Sequence, residues 1–273
     1  QTRRGIRIGE LTNRCHRLQA LVRTRGASLA SSIEQGGWAV HEALRRFEKA
    51  GLVKRLEDEE GDILQVIDDK RITLEYYKNG LLHFVVPVGL VAAAVRGTVS
   101  SGQPLTAAAI TRLFQLQVFL FRYEFTLDPE TSLEDLAERA LRDLIDYGAL
   151  ARTGNGRLDI TDRKRVGELA ETVRNFHECY LLVLLAARAL RSRDIPKEDL
   201  SRRVQEWGQV RLAVDELRRP EALSAVGIRN AIRAFREEGV LQIRSGGGGL
   251  QFDDRAWKHY TNELRTLLLV TEP

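Results

Sequence analysis

The sequence has no methionine at any of its 273 positions. Translation needs an initiator, so Gln1 is expected to be an internal residue of a longer protein. Only two cysteines occur, Cys15 and Cys179, far apart and without a C-x-x-C spacing. That argues against a disulfide framework and a structural zinc site, and fits a reducing compartment. Long apolar runs are missing too. The longest, Gly80 to Val95, has sixteen residues and is interrupted by His83, Pro87 and Gly89. A spanning helix needs about twenty predominantly apolar residues. The run therefore reads as a buried or partly interfacial segment, and no transmembrane helix is expected. Tyr180 to Leu190 is shorter and contains Arg188.

Catalytic signatures are absent as well. There is no G-x-S-x-G, no H-E-x-x-H and no G-x-x-x-x-G-K-[ST]. His16, His41, His83, His177 and His259 stand at no metal-ligand spacing from another His or Cys, and none has an acid five positions on. Each reads as a structural or exposed histidine, so neither a catalytic residue, a metal site nor a cofactor is expected. The acid pairs Asp68-Asp69 and Asp253-Asp254 stand where helices start, which capping explains. Glu237-Glu238 falls in the last turn of a helix, off its apolar stripe, and is expected to face solvent.

Charge is the first feature that is present. An apolar content of 43% suffices for a core, and 29% charged residues give a polar surface. The net charge of +4 is unevenly spread. Residues 1–55 hold twelve Lys and Arg against four Glu, a net of +8, so the remainder carries −4. That stretch is either a solvated helical face or a surface for anionic lipid, nucleic acid or an acidic domain.

A repeat organises the chain. Gly51, Gly148 and Gly239 are separated by 97 and 91 residues. Eleven residues before each stands Val40, Ala137 or Ile228; seven before, Leu44, Leu141 or Ile232; four before, Phe47, Leu144 or Phe235. This is the stripe of an amphipathic helix, ended by a left-handed glycine. Each glycine is followed by a short strand, a turn, a return strand and an acid suited to a helix N-cap. Long helices come next, over about 70–85, 163–190 and 255–270, and earlier helices precede over about 9–24, 105–125 and 197–214. The expected fold is mainly α, with three short β-hairpins in three degenerate winged-helix-like units, at 1–100, 101–192 and 193–273. Gly246 to Gly249 lie between two strands rather than between a strand and a helix. They read as a hairpin turn, not a phosphate loop.

One stretch stands apart, "LEYYKNGLLHFVVP" from Leu74 to Pro87. On a helix, Tyr76, Asn79 and His83 share a face, which predicts a buried hydrogen-bond network. It either fixes one packing arrangement, or lines a substrate groove or the interface to another domain.

With its flanks, "GDILQVIDDKRITLEYYKNGLLHFVVPVGLVAAAV" resembles the tyrosine-tyrosine-basic-asparagine segment in the C-terminal region of glycerol-3-phosphate acyltransferases of the large bacterial and mitochondrial kind. "LTAAAITRLFQLQVFLFRYEF", "LRDLIDYGALARTGNGRLDIT" and "NAIRAFREEGVLQI" resemble the family's later segments in the same order. The resemblance covers nearly the whole chain. It implies acyl transfer from acyl-CoA or acyl carrier protein to the 1-hydroxyl of glycerol 3-phosphate, the first step of phospholipid synthesis. The His and Asp of an H-x-x-x-x-D motif do this work in the family, upstream of the matched region, so no catalytic residue carries over. The implied role is accessory: packing on an upstream acyltransferase domain, peripherally on the cytoplasmic side of the inner membrane, near an anionic surface. Tyr76, Tyr77, Lys78, Asn79 and His83 are the candidate substrate or structural residues. The rival reading is a protein-interaction or nucleic-acid-binding module, since helix-helix-hairpin units also build winged-helix DNA binders. The acidic tip "EDEEGD" of the first hairpin would face phosphates with the wrong sign.

Overall fold

A computed structural model describes residues 5–30, 37–154, 156–191, 196, 199–243 and 250–269. The fold is mainly α, with ten α-helices and three small antiparallel sheets among the described residues. Two compact units hold the chain, one up to Val85 and one from Val86 onward. The second unit contains the second and third repeats together.

The first unit runs β1 (Ile6–Arg7), α1 (Ile8–Thr24), α2 (Gly37–Lys49), β2 (Val53–Leu56), β3 (Ile63–Val66) and the start of α3 (Arg71–Ser100). Its sheet has the order β1-β3-β2, with Val53 opposite Val66 and Ile6 opposite Leu64. Strand alternation and the helix stripe meet in one core of Val40, Leu44, Val53 and Leu64, with Ile6, Leu11, Phe47 and Leu74 packed against it. A glycine turns helix into strand here. Gly51 has φ +65°, and Leu52 N–H donates to the Phe47 carbonyl at 2.9 Å, closing α2 in the manner that favours glycine. Gly148 (φ +72°) and Gly239 (φ +68°) recur at the same place in the other repeats.

Charge in the first unit is largely internal. Arg7 pairs with Asp58 and Glu60, Arg55 with Glu48 and Asp62, and Arg45 and Arg46 share Glu42. The acidic hairpin tip is thus the counter-charge of Arg7 and Arg55.

The second unit begins within α3 and continues through α4 (Ala107–Leu120), α5 (Leu133–Asp146), β4 (Leu150–Arg152), β5 (Leu158–Ile160), α6 (Arg163–Ala170) and α7 (Arg174–Ala189). It ends with α8 (Leu200–Ala213), α9 (Ala225–Glu237), β6 (Leu241–Ile243), β7 (Leu250–Phe252) and α10 (Asp254–Leu268). β6 and β7 pair antiparallel with Ile243 opposite Leu250; the glycine turn between them, 246–249, lies outside the described residues. Asp162 and Asp253 cap α6 and α10 through backbone N–H groups, as their position before each helix implies.

By length and composition Gly80–Ser100 of α3 could cross a membrane, but 78% of its apolar window is buried inside the fold. Val88, Leu90, Val91, Ala92, Ala94 and Val95 have no exposed surface. From Val85 to Val95 its apolar side chains form core. α7 is the other central helix, packed against α8, α9 and α10.

The helix expected over 163–190 is two helices. The break falls at Glu171 to Val173, where α3 comes close: a Cβ on Gly89 would stand 2.5 Å from Thr172 Oγ1 and 3.2 Å from the Leu169 carbonyl oxygen. The break puts Glu171 among arginines, a tertiary demand that helix periodicity does not register.

Candidate functional site

The tyrosine-tyrosine-lysine-asparagine segment is helical and lies in the first part of α3. The side chains of Tyr76 and Asn79 lie outside the described residues. Tyr77 is 54% exposed, with its ring 5.5 Å from that of Phe47. Lys78 is half-buried. His83 is exposed, its ring 3.9 Å from that of Phe84. Of the three residues expected to form a buried network, only His83 has a described side chain, and it is exposed. Leu82, Val85 and Val86 take the buried positions, and His83 falls on another side of the turn. Instead, Tyr77 and Leu81, at i and i+4, expose adjacent apolar surface of 54% and 53%.

The buried polar network is in the second unit, centred on another histidine. His177 is 1% exposed. Its Nε2 stands 2.7 Å from Gln117 Oε1, and its Nδ1 3.1 Å from the Val173 carbonyl. Gln117 is itself fully buried and donates to the carbonyls of Leu90 and Leu113. Burial lowers the His177 pKa to about 3, against the pull of the Val173 carbonyl and with help from the charges of Arg174 and Arg96. Both ring nitrogens face oxygens, which would suit an imidazolium, but burial beside two guanidinium groups decides for the neutral ring. Its one N–H donates to the Gln117 amide oxygen or to the Val173 carbonyl, according to the tautomer. The ring thereby ties α7 to α4, and through Gln117 to α3.

One turn away, Arg174 and Glu178 are both 4% exposed and paired at 2.6 Å. Glu178 also accepts the backbone N–H groups of Arg218 and Arg219. Burial pushes its carboxyl upward, and Arg174 with these two donors pulls it back. Glu171 receives Arg96, Arg174 and Arg219. Against burial, the Arg219 hydrogen bond and the charges of Arg174 and Arg219 bring it down to about 2. The group is a charge lock between α3, α7 and the segment before α9.

A third cluster lies at the end of α4, in the stretch "FRYEF". Arg122 reaches Glu237 and Glu238, each at 3.1 Å. The Tyr123 hydroxyl donates to Glu237. Arg233 lies 4.0 Å over the Tyr123 ring, and Asn230 donates to the Tyr123 carbonyl. Glu124 accepts the Tyr180 hydroxyl, and burial pushes its carboxyl up. The acid pair Glu237-Glu238 thus binds arginine and tyrosine of another repeat rather than only water. Its pattern of acids off the apolar stripe gave no sign of that.

Among the described residues no three His, Cys, Asp or Glu side chains group as a metal site. Cys179 is buried, and burial raises its thiol pKa, which makes it a poor nucleophile. None of the three clusters pairs a nucleophile with a base beside an open cavity. They are packing and locking arrangements.

A family model described as glycerol-3-phosphate acyltransferase C-terminal region matches residues 1–244. The chain belongs to that family. No curated protein is similar enough to match it. The acyltransferase C-terminal match includes α3 with the tyrosine pair, the "FRYEF" end of α4 and all three helix-glycine turns. Membership gives this chain a coarse role, that of part of a glycerol-3-phosphate acyltransferase.

Proposed function

We propose that this chain is the non-catalytic accessory region of a glycerol-3-phosphate 1-O-acyltransferase. In that reading an upstream domain of the same protein carries H-x-x-x-x-D. It moves an acyl group from acyl-CoA or acyl carrier protein to the 1-hydroxyl of glycerol 3-phosphate. The present region packs on that domain and holds it in its active shape. The observation that carries the packing claim is the exposed pair Tyr77 and Leu81 on the segment most specific to the family resemblance. Large apolar side chains side by side on a surface mark contact sites more often than scattered ones do.

The peripheral membrane location belongs to the same proposal. The basic stretch 1–55 supports it less than its charge of +8 suggests, because several of its arginines already hold carboxylates. A nucleic-acid reading draws only on the helix-hairpin shape, and its first hairpin tip is acidic.

The test uses the full-length enzyme. Leu81→Asp with Tyr77→Ser is expected to lower its melting temperature and acyl transfer together. Arg203→Ala, at an exposed position of α8, serves as the control and is expected to change neither. An unchanged double variant would remove the exposed pair from the docking account. Turnover by residues 1–273 alone would remove the accessory reading itself.

A further inference from the structure

Helix α9 buries Ile228, Ala231, Ile232 and Phe235. Its opposite face presents Val226, Arg229, Arg233 and Arg236, all exposed, along about 15 Å of helix. This face differs from the arginine-bearing faces of α2 and α8. On α2, Arg45 and Arg46 share Glu42; on α8, Arg202 and Arg203 share Glu206. On α9, the positions three and four residues either side of Arg229 are Ala225, Val226, Ile232 and Arg233. Those around Arg236 are Ile232, Arg233, Gly239 and Val240. Among the described residues neither Arg229 nor Arg236 has an ion-pair partner. Like charges at i+3 and i+4 cost a helix a few tenths of a kcal/mol each, and within this helix only Arg233 has a carboxylate partner, Glu237.

The middle of the stripe is held by two contacts. Arg233 has its guanidinium carbon 4.0 Å from the Tyr123 ring centroid and bonds Glu237 at 3.0 Å. Beside it, Arg122 stacks 4.7 Å from the ring of Phe119, which is 42% exposed. An open hollow of about 490 Å³ is lined by Arg233, Arg236, Glu237, Leu241 and Gln242.

We propose that this face is a docking surface for an acidic helix of a protein partner, whose carboxylates at i, i+4 and i+7 meet Arg229, Arg233 and Arg236. Three observations select a protein over a phosphate polymer or a lipid surface. Exposed phenylalanine and valine flank the cations, and aromatic side chains with arginine characterise protein interfaces. Glu237 and Glu238 close one end of the stripe and would repel a uniformly anionic lattice. Stacked arginines have already lost side-chain freedom, which lowers the cost of specific association. This inference does not depend on the accessory role.

The experiment measures binding of a fluorescein-labelled helical peptide, with glutamates at i, i+4 and i+7 and one leucine, to the chain at low and physiological salt. Phosphatidylglycerol vesicles and a DNA duplex are the competing probes. The variant is Arg229→Ala/Arg236→Ala. Both side chains are exposed, so the fold is expected to survive, and far-UV circular dichroism checks it. The expected result is salt-sensitive peptide binding that weakens at least about tenfold in the variant. Absent peptide binding, or equal binding by parent and variant, overturns the proposal. So does stronger Arg229- and Arg236-dependent binding to vesicles or duplex, which would reassign the face to phosphates.

Discussion

His177 shows how one residue sets a pH dependence. Its folded pKa of about 3 lies below the ordinary 6.5, so between these values the unfolded chain binds a proton that the fold refuses. Stability from this group is complete above about pH 6.5 and is lost as pH falls toward 3, by at most about 1.4 kcal/mol per pH unit. Glu171, brought down from 4.5 to about 2, adds to the loss below pH 4.5. The raised Glu124 and Glu178 act in the opposite sense. A difference between parent and variant therefore isolates the histidine. His177→Gln is expected to lower the melting temperature at pH 7 and to flatten its decline between pH 7 and 5. An equal slope in both proteins would mean that His177 titrates normally. Arg174→Met leaves the buried Glu178 without its guanidinium partner and is expected to cost about 3–5 kcal/mol in urea unfolding. A loss of a few tenths would place that pair in solvent.

At the scale of elements, close approach decides which glycines matter. Gly89 and Gly97 both lie in α3. A Cβ at Gly97 would meet Leu267 and Thr266 side chains at 3.4 Å, whereas at Gly89 it would meet Thr172 Oγ1 at 2.5 Å and backbone beyond. Gly97→Ala is expected to be neutral or to stabilise by up to about 1 kcal/mol through helix propensity. Gly89→Ala is expected to destabilise by about 1–3 kcal/mol through overpacking. Denaturant unfolding of the pair checks the ordering, and equal effects would contradict the close crossing. The helices, their glycine ends and the caps of α6 and α10 were legible in sequence because each follows from local chemistry: apolar spacing, a residue tolerant of positive φ, an acid before a first turn. The break between α6 and α7 was not, because a neighbouring helix imposes it. Nor was the exchange of roles between two histidines. His83 and His177 both stand in apolar-looking helices, and only tertiary packing buries one and exposes the other. The buried histidine with a polar partner is His177, whose partner Gln117 is 60 residues away in sequence.

The whole molecule reads as two compact units whose titratable groups serve mainly to hold helices together. His177, Arg174, Glu178 and Glu171 are tied to neighbours within the second unit, and the acidic hairpin tip is tied to Arg7 and Arg55 within the first. Family membership supplies an acyltransferase context. The five histidines supply no H-x-x-x-x-D. Both favour the proposal that the chemistry is done by residues outside this chain's sequence. The most direct measurement is the intact mass of the native protein together with the sequence of its peptides preceding Gln1. The account predicts several hundred further residues that include H-x-x-x-x-D. An initiator methionine directly before Gln1 would contradict it.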